Sequence, residues 1–123
     1  MIDSPAQADE TWMARFNAAD TDGLLALYEP DGLLVGEPGG KPLVGHDAIR
    51  QFAETFFAMS PRIDLRTAAI LERDTDALTY STWTMTGNGP EGPFEMEGRA
   101  TVLLRKQADG SWLIAVDDPW SQG

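Results

Sequence analysis

The chain reads as an α+β fold, on three observations. Apolar residues recur at helical spacing up to Phe57, the period switches to two after Ser60-Pro61, and turn formers then divide the second half into four long strands. Helices segregated from antiparallel strands pack on one face of a curved sheet. Three N-terminal helices packed on one face of a strongly curved antiparallel sheet leave a cone whose open end can hold a ligand.

The elements follow in order. Residues 1–5 read as a loose lead-in, with Ser4-Pro5 favouring a helix start. Ala8, Trp12, Phe16 and Ala19 then mark one helical face from Ala6 to Ala19, with Asp9, Glu10 and Arg15 assigned to the other side. Asp20 is placed to cap a short second helix with Leu24, Leu27 and Tyr28 on its apolar side, stopped by Pro30. Asp31-Gly32 opens a strand at Leu33–Val35, residues 37–42 are dense in turn formers, and Leu43-Val44 returns as a short partner. After Gly45, residues Ile49, Phe52, Ala53, Phe56 and Phe57 define the clearest amphipathic helix. Strands are expected over residues 63–72, 77–86, 94–106 and 111–117, with residues 87–93 as a flexible loop.

One domain over 1–123, with a core of about 8–120, suits a chain of 123 residues that has no repeat and no linker. A domain of this size buries roughly two-thirds of its unfolded surface and needs no staple. Cysteine is absent, which removes thiolate catalysis and cysteine–zinc sites. Nine Lys+Arg against 20 Asp+Glu give a net charge of -11, a field that repels nucleic acid and anionic membranes. Neither a secretion signal nor a membrane span is read from the sequence, so the expected location is cytoplasmic. A metal site is not expected: the single histidine, His46, stands beside Asp47 at a helix start, where adjacent side chains diverge.

The run Leu24–Tyr28, Pro30-Asp31-Gly32 and Pro42-Leu43-Val44-Gly45, followed by Asp47-Ala48-Ile49 and Phe52, resembles the SnoaL-like and ketosteroid isomerase-like proteins of the nuclear transport factor 2-like superfamily. Val102–Arg105, Asp109–Trp112 and Asp117-Asp118-Pro119-Trp120 carry the same resemblance at the other end. It implies the cone-shaped barrel and a homodimer formed through the convex face of the sheet. It also implies a function within a group of isomerases, cyclases, dehydratases, hydrolases and non-enzymatic binding proteins. Glu37 falls near the position of the isomerases' carboxylate base, if the hairpin carries a one-residue insertion. Phe16 matches their oxyanion tyrosine without its hydroxyl, and Val102 falls near their acidic donor, so both oxyanion donors are missing. Losing one such donor costs on the order of 10²–10³-fold in rate, which argues against ketosteroid isomerisation itself.

The candidate catalytic residues are therefore Glu37 and Asp118, the latter on the pocket side of the last strand if Val116, Asp118 and Trp120 share a face. The face of the second long strand bearing Tyr80 is assigned to the pocket. Trp12, Phe16, Tyr28, Phe56, Tyr80, Val102 and Trp120 are the expected lining, and Trp83 and Met85 the expected dimer interface. Two functions stay open. One is cofactor-free proton transfer on a small, mostly apolar molecule; the other is a non-catalytic ligand-binding or dimerisation module.

Overall fold

The computed structural model describes residues 1–121 and contains three α-helices and six strands. A 3-10 turn at Pro5–Gln7 leads into α1 (Ala8–Asn17). The lead-in is tied down: Ile2 is 1% exposed and its carbonyl accepts from Trp112 N at 2.9 Å. Helix α2 (Thr21–Leu25) is capped by Asp20, whose side chain accepts from Gly23 N at 3.0 Å. It ends earlier than Pro30 suggests, and Tyr28 is the first residue of β1 (Tyr28–Val35) instead of a helical one. A turn and β2 (Pro42–Val44) follow, then α3 (His46–Phe57), which buries Ile49 and Ala53.

The remaining strands are β3 (Arg62–Glu72), β4 (Asp76–Gly89), β5 (Gly92–Lys106) and β6 (Trp112–Asp118). Residues 87–93, expected as a loop, mostly extend the β4–β5 ladder to a tight turn, where Gly92 takes a φ of 111°. The six strands form one open, curved sheet in the order β2-β1-β6-β5-β4-β3. It is not wholly antiparallel, because β6 returns beside β1 in the same direction.

Two bulges position the site. Register shifts between Tyr28 and Leu33 on β1, where Pro30 and Asp31 bow out into solvent. Gly32 sits at the crowded side of this bulge: a Cβ there would lie 3.1 Å from Glu29 O and 3.2 Å from Ile114 O. The Tyr28 carbonyl is met by His46, whose Nε2 donates to it at 3.0 Å. His46 thus pins the start of α3 to the bulge, a structural tie and not a free surface side chain. On β6, Leu103 pairs with Val116 but Leu104 with Ile114, so Ala115 is the extra residue.

Side chains at alternate positions of a strand share a face. Trp112 and Ile114 point into the core, and without a bulge Val116 and Asp118 would follow them. The extra residue reverses the phase, so that Asp117 turns inward and Asp118 outward.

Candidate functional site

The helices and the concave face of the sheet enclose a cavity of about 60 Å³. Trp12 and Phe16 reach it from α1, Phe52 and Phe56 from α3, and Trp83, Met85 and Val102 from the strands. Trp12 stacks on Phe16 with ring centroids 4.9 Å apart and planes 12° from parallel. Across the cavity Trp83 meets Trp120 edge-on at 5.1 Å. Gly98 is what allows this: it faces Trp83 across the ladder, and a Cβ there would lie 2.7 Å from the indole ring. Phe52, Phe56, Leu65, Met96 and Trp120 line it while only partly buried.

Two carboxylates enter this apolar space, Asp117 and Asp9. Asp117 is 6% exposed, and its Oδ2 accepts the Tyr28 hydroxyl at 2.6 Å. Tyr28, itself 2% exposed, receives the Trp12 indole N–H at 3.0 Å. The three residues form a directed chain, Trp12 to Tyr28 to Asp117, that joins α1, β1 and β6. Burial pushes the Asp117 carboxyl up to about 6; the Tyr28 hydrogen bond opposes this, and the charges of Asp9 and Asp118 reinforce it. Burial, then the charge of Asp117, holds the Tyr28 hydroxyl well above its ordinary 10.0, so Tyr28 stays a donor.

Asp9 is anchored differently. Its Oδ2 accepts the Thr67 hydroxyl at 2.6 Å and the Ser81 hydroxyl as well. Among the described residues no donor reaches Oδ1 of either aspartate. Chemically, the arrangement offers a carboxyl raised to about 6 inside an apolar, aromatic space. Among the described residues, no group of three or more His, Asp or Glu side chains could hold a metal ion. No helix among them is long and apolar enough to cross a membrane.

The structure brings Trp12, Phe16, Phe56, Val102 and Trp120 together around the cavity, with Tyr28 behind them as a hydrogen-bonding partner of Trp12 and Asp117. Four expectations need correction. Glu37 is exposed in the β1–β2 turn, where its carbonyl accepts from Gly40 N at 3.0 Å, and it does not line the cavity. Asp118 faces outward because of the Ala115 bulge, and its Oδ1 accepts from Trp120 N at 3.1 Å. Tyr80 lies on the convex face, alternating with the buried Thr79 and Ser81. Trp83 and Met85, assigned to a subunit interface, are instead 4% and 7% exposed within this chain and line the cavity. Burying the larger apolar side chains against the helices outweighs placing the threonines there, at roughly 25 cal/mol per Å².

Asp9 and Asp117 are the residues that sequence reasoning missed. A signal existed for Asp9: with Trp12 and Phe16 it stands at i, i+3 and i+7, on the apolar face itself. For Asp117 only the bulge could have told, and nothing in Ala115 announces it.

Comparison with known proteins agrees with this architecture. The model of a SnoaL-like domain matches residues 10–114. No curated protein matches the chain. Among solved structures, a ketosteroid isomerase-like protein from Erwinia carotovora atroseptica is 25% identical, with a TM-score of 0.79 over 92% of this chain and 89% of that one. A conserved protein from Planctomyces limnophilus is 19% identical, with a TM-score of 0.83 over 92% and 89%. A Catenulispora acidiphila protein in complex with S-DNPA is 17% identical, with a TM-score of 0.73 over 91% and 86%. The last two speak for the fold alone. With the domain match running from α1 into β6, the chain belongs to the SnoaL-like domain family.

Proposed function

We propose that the chain binds a small, mostly apolar molecule in its cavity and moves a proton on it without a cofactor, in the manner of an isomerase, cyclase or dehydratase. Asp117 is the acid–base group. The observation that carries this reading is a single one: a buried carboxyl, raised to about 6, opening into an aromatic cavity while Tyr28 holds its other oxygen. A base near neutrality is ionised enough to accept a proton and basic enough to make the transfer favourable. The Tyr28 hydrogen bond, backed by Trp12, fixes the carboxylate's orientation and stabilises its charged form.

The test is hydrogen–deuterium exchange at the α-carbon of small cyclic ketones in D₂O, followed by NMR. The wild-type chain should exchange, with a rate that rises through pH about 6 as Asp117 ionises and then levels. Asp117→Asn should lower the rate by about 10²-fold or more. Equal rates in the two proteins would remove Asp117 from the chemistry.

A second reading, a binding or dimerisation module without chemistry, is favoured by the cavity's size. At about 60 Å³ it is small beside the roughly 150 Å³ that accepts benzene in an engineered apolar cavity. A ligand of that size requires the rim side chains to move. The convex face supports pairing with a second copy: Leu71, Leu78, Tyr80, Leu103 and Val116 are neighbours on paired strands, and Leu71 is 58% exposed. Sedimentation velocity should show a dimer that Tyr80→Glu weakens. A wild-type monomer at micromolar concentration would end the proposal.

A further inference from the structure

Three indoles and three phenyl rings line the cavity, and among the described residues its charged side chains are two aspartates, Asp9 and Asp117. They arrive by different routes. Asp9 shares a face of α1 with Trp12 and Phe16, three and seven residues on, whereas Asp117 is turned inward by the extra residue at Ala115.

Neither carboxylate has a counter-charge. Among the described residues no ion pair includes either of them, and no Lys, Arg or His lines the cavity. Their polar partners are neutral hydroxyls: Thr67 and Ser81 for Asp9, and Tyr28 for Asp117. A buried charge is ordinarily paired with an opposite one, so two such carboxylates in one apolar space depart from the usual pattern. The charge of Asp9 also reaches Asp117, which it helps to raise, so the two share one unbalanced field.

That field sorts ligands by sign. An anion would enter against both carboxylates, and a neutral molecule would leave them uncompensated. A cation would supply the missing charge. The walls favour the same sign, because the faces of Trp and Phe rings attract a cation within about 6 Å of their centres. The rings stand in close pairs, with centroids 4.9 Å apart for Trp12 and Phe16 and for Phe52 and Phe56, and 5.1 Å for Trp83 and Trp120. A bare metal ion does not suit this lining, since such ions need several oxygen or nitrogen ligands and aromatic walls supply none.

We infer that the cavity is a site for a small organic cation, a protonated or methylated amine, held by the charges of Asp9 and Asp117 and by the aromatic walls. This names the ligand class for the cavity and rests on the proposed function for the cavity being where the ligand binds. It holds whether or not Asp117 moves a proton. The apolar molecule of that reading then carries one cationic nitrogen, and the volume of about 60 Å³ keeps it small.

The test titrates isopropylammonium, 2-propanol and isobutyrate separately into ¹⁵N-tryptophan-labelled protein at pH 8, where Asp117 is ionised. The three probes carry the same branched group with a positive, a neutral or a negative head. Trp12, Trp83 and Trp120 line the cavity and Trp112 does not, so the indole N–H signals separate binding inside from adsorption to the acidic surface. Isopropylammonium should shift the cavity indoles in a saturable manner, leave Trp112 in place, and bind about tenfold or more tightly than 2-propanol. Isobutyrate should not bind. Asp9→Asn and Asp117→Asn should each weaken isopropylammonium by about tenfold, with little effect on 2-propanol.

Equal affinity for the ammonium ion and the alcohol overturns the inference while leaving the cavity as a binding site. Shifts at Trp112 as large as those at the cavity indoles overturn it too, since the cation is then on the surface, as does an affinity that neither variant changes. No shift with any of the three probes overturns both the inference and the reading of the cavity as a ligand site. The comparison of probes needs no variant, so it stands even where a substitution unfolds the chain.

Discussion

The β1–β2 turn and the inner end of β6 each carry a carboxylate that could serve as a base, yet they give it opposite surroundings. Glu37 stands in a turn of Pro and Gly, exposed and with its backbone carbonyl engaged by Gly40. Asp117 stands on a strand buried against the helices, held by Tyr28 and raised to about 6. Water stabilises the first whatever its neighbours do; only the protein can stabilise the second. A carboxylate's position along the chain therefore says little about its use. Its desolvation says much more.

The sharpest way to test this contrast is through stability against pH. The folded chain holds the Asp117 proton up to about pH 6, whereas an ordinary aspartate releases it near 3.8. Between these values the folded state binds more protons than the unfolded one, so Asp117 makes stability fall as pH rises through the window. The loss amounts to roughly 3 kcal/mol at most, two pKa units at about 1.4 kcal/mol each. Asp117→Asn keeps an acceptor for Tyr28 and removes the titration. Urea unfolding should find the variant close to wild type at pH 4 and the more stable of the two at pH 8. A difference that does not change with pH would mean that Asp117 is not raised.

Much of the scaffold was legible in the sequence, and the reasons are physical. The helix at His46–Phe57 and the four long strands follow from periodicity, which the hydrophobic effect enforces over many residues at once. The phase of a strand is weaker information. A single inserted residue at Ala115 changed which aspartate faces inward, and a choice between two plausible faces misplaced Tyr80 against Trp83 and Met85. The parallel pairing of β1 with β6 was illegible for another reason: it joins segments about two-thirds of the chain's length apart, as Tyr28 with Ile114 and Leu34 with Asp117. The site at Tyr28 and Asp117 is built on that pairing, across a separation of 89 residues.

The hydrogen-bond chain gives the next effect in size. Tyr28→Phe leaves Trp12 Nε1 and Asp117 Oδ2 without their partner inside the protein. An unsatisfied buried group costs about 1–3 kcal/mol, and the cost should appear in urea unfolding at pH 8. The hydroxyl also lowers the carboxyl's pKa, so its removal should move the Asp117 titration above about 6. Carboxyl ¹³C NMR of Asp117 would register the shift. A titration that stays in place would mean that burial alone sets the value and that Tyr28 does not hold the carboxylate.

Glu37→Gln should do least. The side chain is exposed, and the turn is closed by backbone: Gly40 N donates to Glu37 O at 3.0 Å, and Gly39 takes a φ of 70°. Substitution removes a charge that water already stabilises, so stability should change by less than about 0.5 kcal/mol. Under the proposed chemistry, ketone exchange should also stay within about twofold of wild type, since charges on the surface act weakly through solvent. A large loss of exchange with unchanged stability would return the catalytic role to the turn. It would also require the turn to fold over the cavity mouth when a ligand binds, because Glu37 has no place in the lining as the chain stands.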